Sequence, residues 1–119
     1  MGRFVIRNVP TGVKFDLRAE NGEVIASSEV YSSLAACRRG IESVRKCAAT
    51  GRLEDLTDDP VACANPKFQL FSDRSELFRF RLCSRNGKII AGSEAYTTKA
   101  ACLAGIQSVI HNAPDATIE

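Results

Sequence analysis

The stretch that decides the fold is NGEVIASSEVYSSLAACRRGIESV at residues 21–44, because it recurs as NGKIIAGSEAYTTKAACLAGIQSV at residues 86–109. When the comparison is extended to residues 14–48 and 79–113, 17 of 35 positions are identical at a constant offset of 65. Repeats of this kind are the first feature to look for, since they set the architecture of the whole chain. The 119-residue chain is therefore a tandem duplication.

The duplication sets the expected domain organisation. We expect a first repeat over residues 1–56, a linker over residues 57–66 and a second repeat over residues 67–119. Two prolines and two acidic residues make the middle stretch typical of a linker. A unit of this size buries too little surface to be stable alone, so we expect the two repeats to form one compact domain.

Each repeat has the pattern of a β-β-β-α-β unit. Residues 14–20 alternate polar and apolar side chains, which is typical of a half-buried strand. Asn21 and Gly22 follow and predict a hairpin with a type I′ turn, as do Asn86 and Gly87 in the second repeat. After the third strand, an N-cap pair and an apolar face at helical spacing predict a helix: Ser32 or Ser33 before Cys37, Ile41, Val44 and Ala48, and Thr97 or Thr98 before Cys102, Ile106, Val109 and Ala113.

One helix per unit covers only one face of a small sheet. The two units satisfy this constraint if they share one mainly antiparallel sheet with both helices on the same face. The expected fold class is α+β. Gly40 and Gly105 lie inside the helices, where glycine costs about 1 kcal/mol relative to alanine, and this indicates a close packing contact.

The repeated motif N-G-x-[VI]-I-A-x-S-E-x-Y-[ST]-[ST]-x-A-A-C-x-x-G-I-x-S-V resembles the YegP-like family, whose members are small, mostly bacterial proteins with one or two such units. The resemblance covers nearly the whole chain. It implies a β3-α-β fold in which two units form one sheet and exchange their C-terminal strands. It implies no activity, no cofactor and no catalytic residue, because the family's function is unknown.

Composition and charge exclude several classes of protein. The chain is 45% apolar and 25% charged, too apolar for a disordered protein and too charged for a membrane protein. The N-terminus lacks the apolar core of a signal peptide, so we expect a cytoplasmic protein with reduced thiols and no membrane association. Five cysteines without a CxxC pair and a single histidine do not predict a metal site.

Two groups of residues are candidates for binding. The first candidate is a polar pocket at the two junctions between third strand and helix, formed by Ser28, Glu29, Tyr31, Ser93, Glu94 and Tyr96. Strand alternation sends five cations and one acid, Glu94, to the helix-free face of the second repeat, the cations being Lys67, Arg79, Arg81, Arg85 and Lys88. Acids balance the corresponding cations of the first repeat. Phe71 is the one aromatic side chain that this register exposes.

These patterns leave two functional hypotheses. The first is a small non-enzymatic binding module whose open sheet face binds single-stranded nucleic acid or another polyanion. The alternative is a thiol-based enzyme or redox protein that uses Cys102 or an exposed Cys83, since Arg81 and Arg85 flank Cys83 in the sequence. No acid pair, phosphate loop or metal cluster predicts an enzyme of another class. We expect a monomer that acts as a pseudo-dimer.

Overall fold

The computed structural model describes residues 2–58 and 61–119, so Asp59 and Pro60 of the expected linker lie outside the described residues. The element order is β-β-β-α-β twice, as the duplication predicts. The elements are β1 (Arg3–Val9), β2 (Gly12–Arg18), β3 (Val24–Ser27), α1 (Leu34–Ala48), β4 (Leu53–Asp55), β5 (Lys67–Ser72), β6 (Phe78–Cys83), β7 (Ile89–Gly92), α2 (Lys99–Asn112) and β8 (Thr117–Ile118).

The strands form one sheet of eight in the order β4-β5-β6-β7-β3-β2-β1-β8. The two repeats meet at the centre, where β3 and β7 pair antiparallel through Ser27 and Gly92. The last strand of each repeat crosses to the other repeat, so that β4 pairs parallel with β5 and β8 pairs parallel with β1. The strand exchange implied by the family resemblance is thus present, and each repeat completes the sheet of the other.

The core lies between the two helices and one face of the sheet. Alternate side chains of β1, β2, β5 and β6 are fully buried there, namely Phe4, Phe15, Leu17, Phe68, Leu70, Phe80 and Leu82. The predicted apolar faces of α1 and α2 cover them with Cys37, Ile41, Val44, Cys102, Ile106 and Val109. Burying a large apolar side chain contributes about 1.5–3 kcal/mol, so this layer dominates the stability. We call the opposite, helix-free face the open face.

The helix N-caps are the second residue of each predicted pair. The Ser33 hydroxyl accepts a hydrogen bond from the Ala36 amide at 3.1 Å. The Thr98 hydroxyl accepts from the Ala101 amide at the same distance. Each cap satisfies one backbone donor that the first helical turn leaves without a partner.

The predicted hairpins are present, but the type I′ turn is wrong. Gly22 donates from its amide to the Ala19 carbonyl at 2.9 Å, so the four-residue turn begins two residues earlier than the Asn-Gly pair. Gly22 has φ +85° while Asn21 is not among the described residues with positive φ. The loop is therefore a tight turn followed by a left-handed glycine, the usual form of a three-residue hairpin loop. Asn21 is favoured because its side-chain oxygen accepts from the Glu23 amide at 3.0 Å.

A candidate anion-binding surface

The five cations of the second repeat occupy two different places. Lys67 on β5 and Arg79 and Arg81 on β6 lie on the open face, where their strands alternate with the buried core positions. Arg85 and Lys88 lie in the turn between β6 and β7, which we call the β6–β7 turn, residues 84–88. Both turn residues are exposed. The sequence places all five on one surface, but the structure divides them into a paired group and an unpaired group.

Lys67 is held in a nearly buried ion pair. Its Nζ lies 3.1 Å from Glu54 Oε2, and the two side chains are only 15% and 9% exposed. Glu54 also accepts a hydrogen bond from Gln69 Nε2 at 2.6 Å, while Lys67 donates to the Cys63 carbonyl at 3.1 Å. The hydrogen bonds from Gln69 and then Lys67 hold the pKa of Glu54 below its ordinary value. Lys67 is therefore committed to fixing β4 and the chain after it.

Arg79 is also neutralised. Its Nε donates to Asp73 Oδ2 at 2.9 Å, and Asp73 accepts further hydrogen bonds from the Ser75 and Leu77 amides. The hydrogen bond from Arg79 is the largest cause of a lowered pKa at Asp73. The ion pair fixes the turn between β5 and β6.

Arg81 covers the ring of Phe71, which strand alternation predicts to be exposed. Its guanidinium lies 4.6 Å from the centre of the Phe71 ring, and its Nε donates to Gln69 Oε1 at 2.7 Å. A cation in this position is attracted by the ring quadrupole. The Phe71 face is thus occupied by the protein's own arginine, so it does not offer a platform on which a nucleic-acid base can stack.

The expectation of a single acid on this surface, Glu94, is incomplete. Glu54 and Asp73 lie beside Lys67 and Arg79 and neutralise them. Strand alternation within the second repeat does not reveal either acid. Glu54 comes from the first repeat through strand exchange, and Asp73 lies just beyond the end of β5.

Arg85 and Lys88 form no ion pair within residues 2–58 and 61–119. Arg85 faces α1 across an open groove of about 510 Å³, which we call the α1–turn groove. Its lining residues are Ser43, Lys46, Cys47, Pro66, Ser84, Arg85 and Asn86. The sequence pattern did not identify Lys46 and Ser43 as candidate site residues, because nothing in the helix pattern shows that α1 packs beside a hairpin of the other repeat.

The groove wall on the linker side is fixed by two residues that follow α1. The Thr50 hydroxyl donates to the Pro66 carbonyl at 3.0 Å. Arg52 donates to the Ala64 and Asn65 carbonyls at 3.2 and 3.1 Å. The segment that carries Pro66 is therefore held against the end of α1 by the chain's own hydrogen bonds.

The polar pocket expected at the junctions does not form from its serines. The Ser28 hydroxyl accepts from the Phe15 amide at 2.9 Å and donates to the Glu29 carbonyl at 2.7 Å. Ser93 repeats both bonds with Phe80 and Glu94. These hydroxyls are used to satisfy backbone groups where the strand ends, while Glu29 and Glu94 are exposed.

The two tyrosines of that group pack inward. Tyr31 stacks on Phe15 at 6.3 Å, and Tyr96 stacks on Phe80 at the same distance. The Tyr31 ring lies against Gly40 so closely that an added Cβ would be 2.6 Å from Tyr31 Cζ. The close contact predicted for the helical glycines is present, and its partner is a tyrosine ring. Burial raises the pKa of Tyr31 and of Tyr96.

Cys83 is buried, with 4% of its surface exposed, so the expectation of an exposed thiol is wrong. Cys83 lies opposite Lys67 of β5, and its Sγ donates to Gln69 Oε1 at 3.6 Å, two contacts that the alternation pattern does not show. Burial raises the pKa of Cys83 despite Arg81 and Lys67, which act in the opposite direction. Burial likewise raises the pKa of Cys102 to about 11. A thiolate nucleophile is therefore disfavoured at both positions at neutral pH.

Within residues 2–58 and 61–119, no group of three or more His, Cys, Asp or Glu side chains is arranged to hold a metal ion. Neither described helix has the length and apolarity needed to span a membrane.

Comparison with known proteins agrees with the repeated architecture. A family model described as a domain of unknown function, DUF1508, matches residues 12–55 and again residues 73–119. The chain belongs to the DUF1508 family. The two matches coincide with the two repeats, so the chain carries two DUF1508 units. The description of the family assigns no activity.

Relatives of the DUF1508 chain include proteins with one unit and proteins with two. A UPF0339 protein of Stutzerimonas stutzeri, from the 5′ region of a ptx operon, is 32% identical over 98% of this chain and 94% of its own length. A UPF0339 protein of Treponema denticola is 56% identical over 52 residues, which are 44% of this chain and 90% of that protein. The second relative is therefore about one repeat long.

Two solved structures share the whole DUF1508 fold. The protein yegP of E. coli, described as being of unknown function, matches with a TM-score of 0.81 and 28% identity over 99% of this chain and 90% of its own. A UPF0339 protein of Shewanella oneidensis matches with a TM-score of 0.82, also at 28% identity, over 99% and 89%. The resemblance to the YegP-like family is thus confirmed, and the function of the family is unknown.

Proposed function

We propose that the protein is a non-enzymatic binding module for an anionic partner, and that the β6–β7 turn is the centre of its binding surface. Arg85 and Lys88 carry the proposal, because both are exposed and no described carboxylate pairs with either. Their counterparts in the first repeat are Glu20 and Glu23, so the duplication has placed opposite charges on two equivalent turns.

The three open-face cations contribute less to anion binding than their number indicates. Lys67, Arg79 and Arg81 already have protein partners, and a ligand must compete with those partners. An anion reaches Arg85 and Lys88 without breaking any described ion pair. Since Phe71 is covered by Arg81, recognition rests on charge rather than on base stacking. A polyanion such as single-stranded nucleic acid is therefore bound through its phosphates.

Binding of a short fluorescein-labelled oligodeoxythymidylate tests this proposal by fluorescence anisotropy at several salt concentrations. The wild-type protein binds at low salt and weakens as salt rises, because phosphate neutralisation releases counterions. The double variant Arg85→Gln with Lys88→Gln weakens binding about tenfold or more at low salt. It also lowers the salt slope by about two, one for each lost phosphate contact.

The matched control is the double variant Lys14→Gln with Arg74→Gln, which removes the same charge elsewhere. No described carboxylate pairs with either side chain. The control keeps the affinity and salt slope within about twofold of wild type. Equal losses in the two double variants show that net charge alone drives binding, and this result overturns the proposed surface. Failure of wild type to bind at low salt overturns the polyanion partner.

We further propose a cytoplasmic location. Support comes from the cysteines, all five of which are free and four of which are buried. Reduced thiols of this kind are typical of a reducing compartment.

A further inference from the structure

The α1–turn groove differs from a solvated surface in what lines it. Its two charged side chains are Lys46 and Arg85, and no carboxylate is among its lining residues. The remaining polar side chains, Ser43, Ser84 and Asn86, carry hydroxyl or amide groups. Two cations together with neutral hydrogen-bonding groups form a set that recognises a phosphate, since a guanidinium offers two parallel donors to its oxygens.

The hydrogen bonds of the turn leave a donor free. Asn86 Oδ1 accepts from the Ser84 hydroxyl and from the Lys88 amide. Its Nδ2 has no hydrogen bond within residues 2–58 and 61–119. The orientation of the amide is thus set by the turn itself, and a ready donor remains beside Arg85.

The equivalent place in the other half provides an internal comparison. There, His111 and Glu20 stand where Lys46 and Arg85 line the groove. Gly2 stands where Pro66 does, and it lies so close to α2 that an added Cβ would be 2.7 Å from Asn112 Cβ. Neither the pair of cations nor the proline is therefore repeated at the equivalent place, although both halves derive from the same sequence.

The surface beside the groove adds to its positive potential. A shallower depression on α1 shares Ser43 and Lys46 with the groove and is also lined by Arg38 and Arg39. Its one acid, Glu42, is paired with Arg45 at 2.8 Å. The positions of Arg38 and Arg39 are taken by Leu103 and Ala104 on α2, so this feature too is confined to one half.

We propose that the α1–turn groove binds the dianionic phosphate of a phosphate monoester between Lys46 and Arg85, which deepens and rests on the proposed function of anion binding. A groove of about 510 Å³ lies within the usual range of small-molecule pockets and is far larger than a phosphate alone. The ligand is thus a phosphorylated organic molecule or the phosphorylated 5′ end of a nucleic-acid strand. Both sources present the same group to the two cations.

Titration of the ¹⁵N-labelled full-length protein with adenosine 5′-monophosphate, followed by NMR, tests the site. Backbone amide shifts are expected within Ser43–Cys47 and Ser84–Asn86, and not on the open face. Adenosine, the same molecule without its phosphate, produces no shifts there. Comparable shifts with adenosine, or shifts confined to other residues, overturn the proposal.

The variants Lys46→Gln and Arg85→Gln each weaken the adenosine 5′-monophosphate complex about tenfold, the usual effect of losing one charge-assisted hydrogen bond. Both side chains are exposed, so the amide spectrum of each variant reports an intact fold. Arg74→Gln is the matched control, because Arg74 is an exposed cation that lies outside both the groove and the β6–β7 turn. An equal loss in all three variants overturns the assignment to the groove.

The two proposals fail in distinguishable ways. Oligonucleotide binding that depends on Arg85 and Lys88, without any response to adenosine 5′-monophosphate, removes the groove site and leaves the binding module. A phosphate-dependent response without oligonucleotide binding supports the groove site with a small ester as its ligand. Tighter binding of a 5′-phosphorylated oligonucleotide than of its 5′-hydroxyl form supports the groove site with a strand end as its ligand.

Discussion

Gly40 and Tyr31 form the contact that most sharply limits substitution at a single residue. An alanine at position 40 gains about 1 kcal/mol of helix propensity but places its Cβ 2.6 Å from Tyr31 Cζ. We expect Gly40→Ala to lower the free energy of unfolding by about 1–3 kcal/mol, because the ring is stacked on Phe15 and has little room to move. Urea unfolding followed by circular dichroism measures the change.

The same substitution in a Tyr31→Leu background tests whether the tyrosine ring causes the loss of stability. In that background the ring is gone, so Gly40→Ala becomes neutral or stabilises by up to about 1 kcal/mol. A loss of the same size with and without Tyr31 would mean that the glycine is required by the helix backbone and not by the tyrosine.

One side of this contact, the glycine, is predictable from the sequence. A glycine retained at the same helical position in both repeats indicates close packing, since glycine weakens a helix. The partner is not visible in the sequence, because the direction of the Tyr31 ring depends on a backbone bridge. The Tyr31 backbone amide donates to the Val13 carbonyl at 2.7 Å, and the Tyr31 carbonyl accepts from the Val13 amide at 2.9 Å. This pair of bonds turns the loop toward the helix. Val13 and Tyr31 belong to no common periodic pattern.

At the scale of the element, the short strand β4 is held in the sheet mainly by side-chain contacts. It has three residues, and Glu54 at its centre accepts hydrogen bonds from Gln69 and Lys67 of β5. Glu54 has a lower pKa in the folded protein than its ordinary value. Its stabilisation is therefore complete above the ordinary glutamate pKa and is lost as the pH falls through the folded value.

We expect the urea midpoint of the wild-type protein to fall more steeply than that of Glu54→Gln between about pH 7 and about pH 3. The two proteins converge at the acid end, because protonation removes in the wild type the charge that the variant lacks. Glu119→Gln is the matched control, since Glu119 is the counterpart of Glu54 and pairs with Arg3 where both side chains are about half exposed (46% and 55%). Equal pH dependence in both variants would contradict the assigned role of Glu54.

The elements themselves were predictable, but their neighbours were not. Alternation in residues 14–20 and the spacing of Cys37, Ile41 and Val44 identify a strand and a helix whatever lies beside them. The pairing of β4 with β5 depends on which repeat supplies the strand, and only the family resemblance indicated the exchange. For the same reason, the sequence did not predict the ion pair of Lys67 with Glu54 or the burial of Cys83.

At the scale of the molecule, strand exchange leads us to expect that the two repeats unfold as one cooperative unit. Removing either repeat would take a strand from the sheet of the other. We expect one unfolding transition and a monomer of 12.9 kDa by light scattering, since each repeat already has its partner within the chain. The chain has two tyrosines and no tryptophan, so tyrosine fluorescence distinguishes the halves.

In Tyr96→Phe the remaining Tyr31 monitors the first repeat, and in Tyr31→Phe the remaining Tyr96 monitors the second. In each variant, the fluorescence and circular dichroism midpoints in urea should coincide. A fluorescence midpoint that departs from the circular dichroism midpoint of the same variant would show that the repeats unfold independently. A stable dimer in solution would contradict the expectation of an internal partner.

The charge asymmetry of the whole molecule was partly visible in the sequence. Counting along the repeats shows that Arg85 and Lys88 replace Glu20 and Glu23. The groove was not predictable, because it lies between α1 of one repeat and a turn of the other. Side chains that meet only through the packing of two repeats leave no local signature in either one.

The parallel pairing of β8 with β1 has a consequence for the connectivity of the fold. The chain runs from β4 through the linker into the adjacent parallel strand β5, and β8 stands in the same relation to β1. The Thr117 amide donates to the Gly2 carbonyl at 3.3 Å, so β1 and β8 begin side by side at one edge of the sheet. A second linker from Glu119 to Arg3 would close the molecule into a ring of two equivalent units, and opening the original linker would yield a circular permutant with the same sheet.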